Sequence, residues 1–482
     1  MGGRACLLAT LGLLSSSSLA AAEPSSATLR RGIEAVVSRR AFAPASWGIE
    51  VRSLESGRVL YAHDAEKNLR PASTLKLVTS AAALDAFGPD LRLRTTLETT
   101  ARLDAYGRLL GDVFLVGRGD PNLSGRFTEG RIFAAFETLV EALRGAGVRR
   151  IEGRLVGHEG AFTGDRRGAD WGWEDLVWSY GAEVSALSFN DNTARLRLVP
   201  GERPGDPALL DEEPRSDHYA VVSTATTAPV GTKTELTLTQ PAPNRFHLSG
   251  VIAQSDPPWE GTIAVSDPAR YASQALVDVL ESKGVQVRGG IATSTEPLPP
   301  GVRVVAAHDG PPLAEILGAV NKESQNLHAE MLLRLLGQKA SGQGSVEAGH
   351  AAALAFLKHF KVPAESWGLS DGSGLSRSDL VTAHGLVSLL TAMDRHPLAP
   401  VFRRSLAEPG QKGTLENRLK RFHGRVFAKT GTLRQANALA GYATAADGDR
   451  LAFAILVNNH TAPSRDAVAA IDDIVGVMLG GR

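Results

Sequence analysis

The stretch RPASTLKLVTSAAALDAFG, residues 70–88, decides how the rest of the chain is read. Pro71 sits just before Ser73, Lys76 follows one turn later, and small and apolar residues trail to Gly88, with Pro89 behind it. Proline at the entry and glycine at the exit frame a helix. On a helix, positions i and i+3 share a face, so a hydroxyl at 73 and an amine at 76 can meet. Near a helix N-terminus, free N–H groups and the dipole favour negative charge developing on the serine. Ser73 is either an ordinary polar cap or a nucleophile with Lys76 as its base.

Upstream, SWGIEVRSLESGRVLYAHDAEKN (46–68) alternates in two runs around Glu55-Ser56-Gly57 and reads as a β-hairpin. Before it, SATLRRGIEAVVSRR (26–40) has helical spacing, with Leu29, Ile33, Val36 and Val37 on one side. Downstream, from 91 to 306, short β-rich runs such as RLRTTLETTARL and TKTELTLTQP alternate with turns, and FAAFETLVEALRGAGV is one clear helix. PGERPGDPALLDEEPRSD (200–217) and TEPLPPGVRVVAAHDGPPL (295–313) are rich in Pro and Gly and read as a long loop and an interdomain linker. From Leu313 the pattern is helical again, through LAEILGAVNKESQNLHAEMLLRLLGQ and SVEAGHAAALAFLKHF. Three strand-like runs (RVFAKTGT, ANALAGYATAA, RLAFAILVNNH) then form an antiparallel meander, and SRDAVAAIDDIVGVML is a closing helix. The expected fold class is α/β: an antiparallel sheet flanked by helices, built from 23–90 and 307–482. It is split by a β-rich insertion, 91–306, of two nested domains.

At 482 residues the chain exceeds one compact core. Lys plus Arg and Asp plus Glu stand at 52 each, which gives no electrostatic reason to expect nucleic acid or an anionic membrane as partner. The first 22 residues read as a Sec-type signal peptide: Arg4, the apolar stretch from Ala5 to Leu14, and Ala20-Ala21-Ala22 as cleavage site. No later run reaches the ~18 apolar residues of a membrane span. The single cysteine, Cys6, lies inside that signal, so the processed chain would carry no disulfide, thiolate metal site or cysteine nucleophile. An exported protein with no integral membrane segment is expected.

Two further motifs accompany Ser73-Thr74-Leu75-Lys76. Ser324-Gln325-Asn326 falls near the start of a helix; a serine hydroxyl can relay a proton, and an asparagine amide can hold both a lysine and a substrate carbonyl. Lys429-Thr430-Gly431-Thr432 falls at the end of a strand, whose edge can pair with an extended peptide. Lys429 adds positive charge that attracts a carboxylate and lowers the proton affinity of a nearby lysine, and Gly431 lets substrate approach the backbone. Each motif alone has a bland reading: a cap, a polar pair, a solvated lysine before a turn. A second S-x-N, Ser188-Phe189-Asn190, lies in the inserted region and is discounted. Arg118-Gly119-Asp120 reads as a turn, and His328 with Glu330 lacks the cysteine pair of a deaminase zinc site. No P-loop, dinucleotide fingerprint or H-E-x-x-H is present; neither cofactor nor metal is expected.

Taken in order, the three motifs match the S-x-x-K, S-x-N and K-T-G set of penicillin-binding proteins and β-lactamases. With GRGDP (117–121), WEDLVWSYGAEVSALSFNDN (173–192), NKESQN (321–326), DGSGLSR (371–377) and AKTGTL (428–433), the chain resembles the peptidase S13 family over essentially its whole mature length. These are class C low-molecular-mass penicillin-binding proteins, D-alanyl-D-alanine carboxypeptidases and endopeptidases, and the large insertion is itself a trait of theirs. The resemblance implies Ser73 as acylated nucleophile, Lys76 as general base, and Ser324 and Asn326 in proton transfer and substrate placement. It implies Lys429 and Thr430 at the terminal carboxylate, and the N–H groups of Ser73 and Thr432 as oxyanion hole. It implies peptidoglycan peptides as substrates, β-lactams as covalent inhibitors, and a periplasmic location. Asp175, Tyr180 and Arg377 stand where members specialised for diaminopimelate-type peptidoglycan meet the zwitterionic side-chain end, a carboxylate for the ammonium and a guanidinium for the carboxylate. The alternative is that Asp175 caps a helix, Tyr180 packs and Arg377 lies on the surface. Two other functions remain open: a β-lactamase or esterase using the same serine, and a non-catalytic wall-binding scaffold.

Overall fold

The computed structural model describes residues 26–480; the signal peptide reading and Cys6 lie outside the described residues. A five-stranded antiparallel sheet forms the frame, in the order Val59–His63, Ser46–Ser53, Arg450–Asn458, Ala436–Thr444, Val426–Leu433. The hairpin and the meander are thus stitched together by Ser46–Ser53 against Arg450–Asn458, with Ile49 opposite Ile455.

Both faces of this sheet are covered, and the period of two along each strand sorts the side chains between them. In Arg450–Asn458, Leu451, Phe453, Ile455 and Val457 join a core with Leu29, Ile33 and Val36 of helix Ser26–Val37 and with Ile471 and Ile474 of helix Ser464–Met478. The intervening Ala452, Ala454 and Leu456 face a larger core containing Leu77 and Ala81 of helix Lys76–Phe87, Leu332 of Asn326–Ser341 and Leu386 and Leu390 of Ala383–Asp394. Alanines on that face let helix Ala383–Asp394 lie close to Arg450–Asn458, while the turn Ala72–Leu75, which opens the S-x-x-K, rests on Val426–Leu433 and Ala436–Thr444.

Between Arg92 and Pro312 the chain builds other sheets. The largest runs Ile291–Ser294, Leu155–His158, Val113–Val116, Arg92–Thr99, Arg303–Pro312, packed with helices Ala134–Gly145 and Pro268–Ser282 through Leu97, Leu115, Leu139 and Leu276. Two expectations fail in this region. The segment read as a linker forms strand Arg303–Pro312, antiparallel to Arg92–Thr99, so the chain leaves and re-enters the frame through paired strands. Its prolines mislead because Pro297, Pro299 and Pro300 precede the strand, while Pro311 and Pro312 stand at the end of an edge strand, where a missing N–H costs little. The segment read as a long loop contains Leu209–Glu213, paired with Thr193–Val199; its alternation is of exposed and half-buried residues, and so lacks an apolar stripe.

Candidate active site

The three motifs converge. Ser73 lies in a 3₁₀ turn, Ala72–Leu75, that runs directly into helix Lys76–Phe87. This differs from the expected α-helical first turn, and it suits the pair better, since i and i+3 eclipse in a 3₁₀ helix. Lys76 is wholly buried, and its ammonium donates three hydrogen bonds: to Ser73 Oγ at 2.9 Å, to Asn326 Oδ1 at 2.6 Å and to the Ser373 carbonyl at 2.6 Å. All three donors of the charged form are therefore used and aimed.

Burial pushes Lys76 down to about 8, against the pull of the Asp371, Glu330 and Asp379 carboxylates, which favour the charged form. Lys429 falls well below its ordinary value too, through burial first and then repulsion from Lys76. Burial dominates at both amines, and the two charged forms disfavour each other. Lys429 is also wholly buried, and it donates to Ser324 Oγ at 2.8 Å and to the Thr430 carbonyl at 2.9 Å.

The S-x-N does not sit in a continuous helix. Leu313–Asn321 and Asn326–Ser341 are separate helices, and in the break between them Ser324 adopts φ +64°. Asn326 opens the second helix; its amide accepts from Lys76 and donates through Nδ2 to the Tyr180 carbonyl at 2.8 Å. One amide N–H therefore remains for a substrate.

Val426–Leu433, which carries the K-T-G, is the edge strand of the sheet. A Cβ built on Gly431 would meet the Pro71 carbonyl at 2.6 Å and Ala72 Cβ at 3.1 Å. The glycine thus admits the nucleophile turn rather than, as expected, the substrate. Ser73, Ser324, Asn326 and Thr432 line a cleft of about 400 Å³. Lys429 and Thr430 lie buried next to that lining, with the Lys429 ammonium resting on Ser324 Oγ.

Asp175, Tyr180 and Arg377 line the same cleft. Arg377 donates to Asp175 Oδ2 at 2.9 Å, and the Asp175 carboxylate beside Tyr180 adds to burial in raising the phenol. The readings of Tyr180 as a packed side chain and Arg377 as a lone surface group fail: Tyr180 is 45 % exposed, and Arg377 reaches across from the DGSGLSR loop.

Sequence reasoning missed Ser373 and the acids behind Lys76. Asp371 accepts from the N–H groups of Ser373, Gly374 and Ser376 and from Trp171 Nε1, folding the DGSG segment so that the Ser373 carbonyl meets Lys76. An aspartate followed by Gly, Ser and Gly is the available signal, since such residues favour a side-chain-closed turn. Glu330 accepts from Gly372 N at 2.9 Å and is pushed up to about 7 by burial, chiefly, and by Asp371. The discounted Ser188 is buried against Ser185 and Met331.

A family model described as D-Ala-D-Ala carboxypeptidase 3 (S13) matches residues 29–477. The chain is 32% identical to a D-alanyl-D-alanine carboxypeptidase of Actinomadura sp. (strain R39), over 99% of its length and 90% of the relative's. It is 25% identical to the D-alanyl-D-alanine carboxypeptidase DacB of Haemophilus influenzae, over 86% and 85%. The crystal structure of penicillin binding protein 4 from that organism superposes with TM-score 0.80 at 22% identity, covering 92% of this chain and 97% of that one, which establishes a shared fold.

Proposed function

The chain belongs to the D-Ala-D-Ala carboxypeptidase 3 (S13) family, and from that premise we propose that it hydrolyses D-alanyl-D-alanine termini and cross-links of peptidoglycan through an acyl-enzyme on Ser73. The observation that carries the reading is the Lys76 amine 2.9 Å from Ser73 Oγ, fully buried and pushed down to about 8. A serine hydroxyl needs a base to accept its proton, and a lysine serves only when a usable fraction is neutral.

Neutral Lys76 takes the proton as Ser73 Oγ attacks the penultimate D-alanyl carbonyl. The oxyanion is received by the N–H groups of Ser73 and Thr432, each donor lowering the barrier by about 3 kcal/mol. The amine of the departing D-alanine takes its proton by way of Ser324, whose hydroxyl rests on Lys429. The terminal carboxylate meets Ser324 and Thr432, with the charge of Lys429 behind them. Water then attacks the ester and Lys76 again serves as base. The Asp175–Arg377 pair receives the zwitterionic end of the residue before the scissile pair. β-Lactams enter as mimics of the terminus, and the structure of the Haemophilus influenzae protein complexed with a β-lactam supports that class of inhibitor. Among the described residues no helix is long and apolar enough to cross a membrane, and with the N-terminal signal pattern this supports an exported enzyme.

The test is intact mass after incubation with penicillin, together with fragment analysis of muropeptides. A single adduct, lost in Ser73→Ala, and release of D-alanine or of uncrosslinked peptides are expected. A wild-type protein without an adduct refutes the reading.

A further inference from the structure

We propose that Arg126, in the inserted region, is a positioning residue of the active site, holding Ser324 against Lys429 through an ion pair with Glu323. The proposal rests on the Ser73 acyl-enzyme reading.

Ser324 occupies the left-handed region, at φ +64°, a conformation strained for a non-glycine residue that persists only where surrounding contacts impose it. Within its own segment the backbone bonds are few: Lys322 N to the Gly318 carbonyl and Gln325 N to the Ala319 carbonyl. A third contact, Thr414 N to the Lys322 carbonyl, arrives from the frame. The neighbouring side chain, Glu323, points instead into the inserted region, where Arg126 Nη1 donates to it.

Arg126 is built to hold rather than to bind. Its other arm, Nη2, donates to Asp191, and the side chain is only 15% exposed. Asp191 lies in a run of three left-handed residues, Asn190 to Asn192, and Asn190 N is bonded to the Leu123 carbonyl. The guanidinium therefore spans two insertion segments that are fixed to each other, and a planar fork held at both arms transmits position better than a flexible ammonium. Lys412, the other cation near Glu323, is 4.0 Å away and 88% exposed, too solvated to replace it. A second tie lies one helical turn on, where His328 Nε2 meets Asn122 Oδ1 at 3.3 Å. Arg126 makes no contact with the cleft, so its influence on the reaction runs through the position of Ser324.

The experiment measures single-turnover acylation by a fluorescent penicillin, with thermal melting of each variant. Loss of the tie should slow acylation of Arg126→Ala by roughly ten- to hundredfold, the scale of a displacement near 1 Å at a reacting group. Glu323→Gln, which removes the same pair from the other side, should slow it comparably, and Arg126→Lys should recover part of the rate. In a Ser324→Ala background, Arg126→Ala should add nothing. Acylation of Arg126→Ala at the wild-type rate overturns the proposal, as does an equal slowing in the Ser324→Ala background. Should Arg126→Ala fail to fold, Glu323→Gln decides by the same criteria. A wild-type protein that is never acylated refutes the Ser73 reading instead.

Discussion

Raising the pH from 6 to 9 should switch on acylation through Lys76. A lysine at its ordinary 10.5 holds about 0.03% free base at pH 7, whereas one at about 8 holds about 10%. The roughly 300-fold gain corresponds to about 3 kcal/mol of barrier. Its source is the removal of the ammonium from water, opposed by three buried carboxylates that favour the proton. The second-order rate constant for acylation, which reports the free enzyme, should climb from pH 6, less than tenfold per unit around 7 where Glu330 ionises, and level off above about 8. Glu330→Gln tests the cause: it keeps an oxygen for Gly372 N but removes negative charge, so the ammonium loses support and the midpoint moves down. Stopped-flow with a chromogenic cephalosporin measures both profiles. A wild-type profile flat across this range, or one still rising near 10, would refute Lys76 as the base; a midpoint that rises in Glu330→Gln would refute the electrostatic account.

Three other outcomes follow from single contacts. Asp120 is buried, pushed up to about 6 chiefly by desolvation, and its Oδ2 has no partner among the described residues. Its folded pKa lies above the unfolded 3.8, so the penalty is absent below 3.8, grows between 3.8 and about 6, and is complete above. Asp120→Asn should then stabilise the protein at pH 8 by up to about 3 kcal/mol and leave melting at pH 3.5 unchanged; equal shifts at both values would contradict this. Gly431→Ala places a Cβ 2.6 Å from the Pro71 carbonyl and should cut penicillin acylation by about a hundredfold, with normal labelling as the contrary result. Arg377→Ala should raise KM at least about tenfold for peptides with a free side-chain carboxylate next to D-alanyl-D-alanine, and leave penicillin acylation near normal; an equal loss on both substrates would remove Arg377 from side-chain recognition.

What the sequence disclosed follows from range. The hairpin, the meander and the helix closed at Gly88 are written in nearest-neighbour chemistry, alternation and turn residues, and each forms where its pattern stands. The motif residues were legible because their order is informative even when each is common. The helix start at Asn326 was expected, but the left-handed bend at Ser324 before it was not: NKESQN carries neither proline nor glycine, and the apolar spacing runs on across it from Ile316 to Leu335. What bends the chain there comes from distant positions, Lys429, Thr414 and Arg126. The burial of Lys429 was equally hidden, since a lysine before a turn looks solvated until the sheet and the Ser324 loop close over it. The same distance conceals the acids behind Lys76, contributed by a helix at 330 and a loop at 371–379.

The pairing of Ser46–Ser53 with Arg450–Asn458 carries a consequence for biogenesis. The first strand of the frame must wait beside an empty lane for the last one, while several hundred intervening residues find their own shapes. Until the final strand arrives, the serine has no K-T-G beside it and the lysine no dry pocket. A chain without its last strand thus cannot assemble the cleft that the three motifs share.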